Sequence, residues 1–266
     1  MPIDYSVLDQ PAILRSVFYP RDDSTPCPEN AFDLSVTVEG GASVSSRFYV
    51  GHPQWSWVLF FHGNGEGVSD YDEIAPLYHR IRLNLAVSDY RGYGTSTGVP
   101  TLTHLVRDCH VIFREVRGEL VRRSLRPDLW VMGRSLGSIS ALELGHGHQE
   151  AVNGLIIESG FPSVSRIMTH LGTPAPGDEL ERIDRQCLEM IREIFLPCLI
   201  IHGEADTLVP LRNAKDLYEN LGSREKRLLV IPSADHNDVL MVGFKDYFEA
   251  LRQMTQRRAG STKSQG

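Results

Sequence analysis

Ser135, Asp206 and His236 are the residues of this chain best suited to chemistry, and they occur along it in that order. A serine hydroxyl is a weak nucleophile until a neighbouring base takes its proton. An imidazole serves as that base when a carboxylate fixes its tautomer and stabilises the cation that forms. Ser135 lies in Gly133-Arg134-Ser135-Leu136-Gly137, after the apolar run Leu129-Trp130-Val131-Met132 and before a stretch with helical spacing. That is the strand, tight turn and helix context of a G-x-S-x-G nucleophile elbow. A strand that reverses abruptly into a helix brings its backbone against neighbouring segments, and glycine has no Cβ to clash there. The opening helical turn leaves N–H groups unpaired and aimed at developing negative charge, which makes the Leu136 N–H a candidate oxyanion donor. The plainer alternative is that Ser135 only caps the helix that follows.

Downstream, the buried-strand run Cys198-Leu199-Ile200-Ile201 leads through His202-Gly203-Glu204-Ala205 to Asp206, and Ile231-Pro232-Ser233-Ala234-Asp235 leads to His236. All three candidates thus follow the C-terminal ends of expected strands, where ligands bind in open α/β sheets. Three suitable residue types in the Ser, acid, His order argue jointly for a triad. Asp206 also suits a cap for the helix expected after Pro210. Glu158, following the strand Leu155 to Ile157, is the stronger rival acid, and Glu204 is a second. Asp235 and Asp238 lie too close to His236 in sequence to orient its ring, and Asp238 suits a helix N-cap. His202 reads as structural. His146 and His148 form an H-x-H pair with no second ligand cluster, a weak basis for a metal site. The second oxyanion donor is expected from Phe60-Phe61-His62-Gly63-Asn64-Gly65, most simply the N–H of Asn64, with His62 stabilising the loop. The chemistry requires neither a metal nor an organic cofactor.

The elements that must position these groups are legible as strands and helices. Ile13 to Tyr19, Phe32 to Val38 and Val44 to Val50 read as short, antiparallel N-terminal strands. From Trp57 onward, Trp57 to Phe61, Leu85 to Asp89, Leu129 to Met132, Leu155 to Ile157, Cys198 to Ile201 and Leu228 to Ile231 alternate with helical stretches. This predicts an α/β fold with a mostly parallel sheet and helices on both faces. Leu102, Leu105, Val106, Cys109, Ile112, Phe113, Val116 and Leu120 form one helical stripe, while Arg107, Asp108, Arg114 and Glu115 read as its solvated face. Helices are also expected after Ser69, after Pro210 and over Asp238 to Met254.

The segment Phe161 to Phe195 is longer than a crossover needs and reads as a short cap followed by a returning helix with Leu180, Ile183, Cys187, Ile191 and Ile194 on one side. Ile167, Met168 and Leu171 either line an acyl pocket or pack the cap down, with packing preferred. Residues 1–256 are read as one domain carrying this insertion at about 161–195, and 257–266 as a disordered tail.

The 266 residues are enough for a substantial core, and a net charge of −7 argues against a general nucleic-acid or anionic-membrane binder. No apolar run approaches the eighteen or so residues that span a bilayer. Four cysteines without C-x-x-C pairing and an N-terminus without a signal-peptide pattern make a cytoplasmic, reduced protein the default expectation. Cys109 and Cys198 read as small core hydrophobes. Oligomeric state is not legible in the sequence.

Five segments taken together resemble the α/β-hydrolase superfamily: His62-Gly63-Asn64-Gly65, Asp89-Tyr90-Arg91-Gly92-Tyr93-Gly94, the elbow with Ser138, His202 to Asp206, and His236-Asn237-Asp238. The likeness runs from about Val44 to Met254 and is greatest to short-capped serine hydrolases of the esterase and thioesterase type. The resemblance implies a Ser135, Asp206, His236 triad, an oxyanion hole from the Asn64 and Leu136 N–H groups, a structural turn at Asp89 to Gly94 with Arg91 in an ion pair, and a small-molecule acyl substrate. A role for Arg91 or Arg134 in binding an anionic substrate group is the alternative. Depalmitoylating relatives carry an N-terminal cysteine cluster, whereas Cys27 stands alone. Ester or thioester hydrolysis is therefore the leading expectation, with peptidase or amidase chemistry and a non-catalytic binding module as alternatives. A serine at the elbow disfavours a dehalogenase.

Overall fold

The computed structural model describes residues 3–170, 172 and 177–256. Its strands are β1 (Ala31–Thr37), β2 (Ser43–Tyr49), β3 (Ser56–Phe61), β4 (Leu83–Ser88), β5 (Leu129–Arg134), β6 (Gly154–Glu158), β7 (Cys198–Gly203) and β8 (Lys226–Ile231). They form one sheet in the order β1-β2-β4-β3-β5-β6-β7-β8. β2 runs antiparallel to both β1 and β4, and every other pairing is parallel. The helices are α1 (Pro11–Val17), α2 (Ala75–Arg80), α3 (Leu102–Arg122), α4 (Gly137–Gly147), α5 (Val164–His170), α6 (Gly177–Arg192), α7 (Arg212–Asn220), α8 (Val239–Val242) and α9 (Phe244–Gln256).

Because side chains alternate across a strand, each central strand feeds two cores. Trp57, Leu59 and Phe61 of β3 join Leu129 and Val131 of β5 and Leu155 and Ile157 of β6 beneath α3, α4 and α6. Val58, Phe60, Trp130, Met132, Ile156, Leu199 and Ile201 face the other way, beneath Tyr78 of α2 and Tyr247, Phe248 and Leu251 of α9. Burial on both faces explains why these strands read as unbroken apolar runs. The stripe of α3 is buried as its spacing predicts except for the partly buried Val106, and Thr101 caps the helix by accepting the His104 N–H at 3.0 Å.

Three expectations are corrected. Ile13 to Tyr19 is not a strand: Pro11 opens α1, its missing N–H costing nothing at the first helical position, and Ile13, Leu14 and Val17 pack inward. Asp108 does not belong to a solvated face, because it is buried in a bidentate pair with Arg91, at 2.6 and 2.8 Å. The C-terminal helix breaks at Gly243, where a Cβ would lie 2.6 Å from Ile231. In the cap, Met168 is buried and Ile167 packs against the same core, while Arg166 of α5 pairs with Asp184 of α6 and Asp216 of α7. Leu171, most of the breaker-rich stretch (173–176) and the tail 257–266 lie outside the described residues.

α3 meets the end of α4 at a histidine pair, with His110 Nδ1 2.9 Å from His148 Nε2. Burial, with His148 and Arg114 beside it, holds His110 down at about 4. An unfolded imidazole titrates at about 6.5, so the unfolded chain takes up this proton first and stability falls as pH drops from there toward the folded value. His110→Gln is expected to flatten the dependence of the urea midpoint on pH across that window. An unchanged slope would show that the pair contributes nothing to acid lability.

Candidate active site

β5 ends at Arg134, and Ser135 takes a left-handed backbone conformation, φ 50°. A serine holds that conformation only where its surroundings over-determine it. Here the Ser135 N–H donates to the Glu158 carbonyl at 2.9 Å, extending the sheet by one bond, and the Ser135 carbonyl accepts the Ser138 N–H and hydroxyl at 3.0 and 2.6 Å. Both glycines of the pentapeptide are sterically required. A Cβ on Gly133 would strike the Gly137 carbonyl, and one on Gly137 would strike the Phe61 carbonyl at the end of β3.

The loops after β7 and β8 are joined by backbone bonds, Glu204 N–H to Ile231 C=O and Ala205 N–H to Ala234 C=O, both 2.9 Å. Gly203 permits this approach, since a Cβ there would meet the Ala234 carbonyl. His236 is thereby delivered between Asp206 and Ser135. Its Nδ1 lies 2.8 Å from Asp206 Oδ2 and its Nε2 3.0 Å from Ser135 Oγ. With the carboxylate as acceptor, the network assigns the proton to Nδ1 and leaves the Nε2 lone pair facing the hydroxyl. Asp206 is buried, and its Oδ1 accepts the Val209 N–H at 2.7 Å. One carboxylate therefore both ties its own turn and meets the ring.

The rival groups are engaged elsewhere. Glu158 pairs with Arg134 at 3.2 Å and accepts the Tyr247 hydroxyl at 2.6 Å, and burial raises its proton affinity. Asp235 accepts the His236 N–H and Asp238 accepts the Asp235 N–H, at 2.7 and 2.6 Å, so both shape the loop rather than the ring. Glu204 accepts the Ser233 N–H at 3.3 Å. His202 is buried with Nε2 2.7 Å from the Val209 carbonyl, and burial lowers its proton affinity. His146 turns to Glu193 at 2.9 Å while His148 turns to His110, and no group of three His, Cys, Asp or Glu among the described residues is placed to hold a metal ion.

The N–H groups of Asn64 and Leu136 have no protein acceptor among the described residues. The Asn64 side chain is clamped on three sides: Oδ1 accepts the Tyr19 N–H and the Tyr93 hydroxyl, at 2.9 and 2.6 Å, and Nδ2 donates to the Val17 carbonyl at 2.6 Å. The Gly63 N–H is taken by Glu66 at 2.8 Å. His62, fully buried, directs Nδ1 at the Gly63 carbonyl, 2.8 Å, and Nε2 at Asp89, 3.1 Å. Both partners accept, so only the imidazolium satisfies them together. Burial opposes that charge most strongly of any single influence, but the bond and charge of Asp89, the charge of Glu66 and the bond to the Gly63 carbonyl together leave the proton affinity raised.

Sequence reasoning missed the part played by Arg134. Its Nη1 pairs with Glu66, its Nε with Glu158, and its Nη2 with the His236 carbonyl and Asn237 Oδ1, at 3.1 and 3.0 Å. Every guanidinium nitrogen of Arg134 is thus engaged, and Arg91 is buried with Nε and Nη2 held by Asp108. The only sequence signal was an arginine beside the elbow serine; its partners come from three other segments.

A family model described as serine aminopeptidase, S33, matches residues 52–173 and 173–240. Similar proteins include the uncharacterized protein YfhR of Escherichia coli, 27% identical over 86% of this chain and 82% of its own length. The human alpha/beta hydrolase domain-containing protein 17B is 29% identical over 75% of this chain and 66% of its own length. Among solved structures, a Pyrococcus furiosus esterase superposes with a TM-score of 0.73 at 18% identity, covering 91% of this chain and 99% of that one. A soluble variant of Saccharomyces cerevisiae monoglyceride lipase gives 0.65 at 19%, covering 89% and 99%. At such identities the structural likeness is one of fold. No described helix is long and apolar enough to cross a membrane.

Gly137→Ala is expected to cost at least about 1–3 kcal/mol, the usual penalty of overpacking, because the added methyl meets backbone rather than a side chain that can move. Urea denaturation of the purified variant measures it, and wild-type stability would contradict the steric account.

Proposed function

The chain belongs to the serine aminopeptidase S33 family of α/β-hydrolases, and we propose that it hydrolyses a carboxylic ester or thioester of a small molecule through Ser135. The observation that carries this reading is the continuous chain from Asp206 to His236 to Ser135, with spacings of 2.8 and 3.0 Å. His236 Nε2 takes the Ser135 proton as Oγ adds to the acyl carbon, and Asp206 stabilises the resulting imidazolium. The carbonyl oxygen, now negative, is received by the Asn64 and Leu136 N–H groups. Collapse breaks the bond to the alcohol or thiol, which leaves with the proton from His236. Water then gives a proton to His236 and its oxygen to the acyl carbon; Ser135 departs with that proton, and the carboxylic acid is released.

Amide hydrolysis by the same residues differs in the poorer leaving group, which must be protonated before it departs. Rates on matched p-nitrophenyl esters and anilides separate the two, and an excess for anilide would replace the ester reading with a peptidase one. A fluorophosphonate probe is expected to label the wild type and not Ser135→Ala, and the same variant is expected to lose ester turnover. Asp206→Asn is expected to retain the fold while kcat falls by about 10⁴-fold, the loss seen when a triad histidine is left in the wrong tautomer. Labelling and turnover that survive in Ser135→Ala would overturn the assignment.

A further inference from the structure

We infer that Arg134 is a positioning residue for this hydrolysis: its guanidinium holds the His236 carbonyl on one side and, through Glu66, the Gly63 N–H on the other. The inference rests on the Ser135, His236, Asp206 reading above and adds what keeps base and oxyanion loop in register with the nucleophile.

The Arg134 side chain is 12% exposed and all three of its nitrogens are bonded. Its Nη2 reaches the base loop at two atoms, the His236 carbonyl and Asn237 Oδ1. Its Nη1 grips Glu66, whose second oxygen accepts the Gly63 N–H at 2.8 Å and the Tyr71 hydroxyl at 2.7 Å. Its Nε holds Glu158, whose main-chain carbonyl accepts the Ser135 N–H. Thus one residue, covalently next to the nucleophile, fastens the loops after β3 and β8 and the end of β6. Since Glu66 occupies the Gly63 N–H, that group is withdrawn and the Asn64 N–H is left free for the substrate.

A planar fork is needed for this. An ammonium on a flexible stem would supply the same charge between Glu66 and Glu158, but not the fixed directions that reach four acceptors. A merely electrostatic role would be satisfied by lysine. Arg134 also lines a cavity of about 460 Å³ whose wall includes Met241, exposed at the surface, so a small cation can approach the place the guanidinium would vacate.

Steady-state hydrolysis of a p-nitrophenyl ester tests the inference. Arg134→Ala is expected to lower kcat by about 10²-fold, the cost of a misplacement near 1 Å, with KM changed by less than about threefold because ground-state binding is untouched. Millimolar guanidinium is expected to recover part of that kcat in Arg134→Ala and to leave wild type unaffected. Arg134→Lys is expected to remain impaired, and it carries the test alone should Arg134→Ala fail to fold. Wild-type kcat in either variant, or a loss confined to KM, overturns the inference. Ser135→Ala assayed alongside separates the two readings: if it still turns over, the nucleophile assignment has failed, whereas if it is dead while Arg134→Ala keeps its kcat, only the role of Arg134 has.

Discussion

Where α4 leaves the sheet, Gly137 lies against the Phe61 carbonyl so closely that no side chain fits between them, and the geometry of the candidate site descends from that contact. It brings the first turn of α4 against the end of β3, so the Leu136 N–H and the loop from His62 to Gly65 share one small region. It also forces the strand to reverse within a residue, which is why Ser135 is left-handed. A non-glycine residue in that conformation costs on the order of 1–3 kcal/mol. The cost is offset locally, by the bond from the Ser135 N–H to β6 and by two bonds from α4 to its carbonyl. The serine is thus strained between a sheet that fixes one end of it and a helix that fixes the other.

The second constraint is electrostatic. Arg134, Glu66 and Glu158 place one positive and two negative groups largely out of water, an arrangement that is costly unless every charge is bonded. Burial opposes ionisation of Glu66, yet Arg134, His62, the Tyr71 hydroxyl and the Gly63 N–H together keep its carboxyl below the ordinary range, while burial pushes Glu158, the more deeply buried, above it. Tyr71 and Tyr247 donate to the remaining oxygens. Such a network stabilises weakly overall but is intolerant of displacement, because moving any member strands another. That intolerance suits a set of loops whose relative positions matter more than their total stability.

What the sequence disclosed follows the range of the interaction involved. Burial on both faces made β3, β5, β6 and β7 readable as unbroken apolar runs, since each strand's own residues carry the signal. The order Ser135, Asp206, His236 was readable because the fold delivers each to a strand end. α1 was misread because Ile13, Val17 and Phe18 are β-branched or aromatic and the segment is short, so its packing partners and Pro11 decide its form. Asp108 was misread because the residue that neutralises it, Arg91, lies before the helix and meets it only in three dimensions. The Arg134 network was illegible for the same reason, drawing on residues 66, 71, 134, 158, 236 and 247. Side-chain pairing between distant segments leaves no periodic trace.

Asp206 shows how such pairing also sets identity. Two imidazoles lie beside its Oδ2, His236 Nδ1 at 2.8 Å and His202 Nε2 at 3.3 Å. Composition alone does not say which one the carboxylate serves. His202 points the same Nε2 more closely at the Val209 carbonyl, 2.7 Å, so its proton is already engaged; its Nδ1 is buried without a partner, and burial disfavours a second proton. It therefore stays neutral, adding a weak donor to Asp206 without competing for its charge. His236, by contrast, has its second nitrogen at the half-buried Ser135 hydroxyl. The same carboxylate meets both histidines, and the difference between them lies in what the far side of each ring meets.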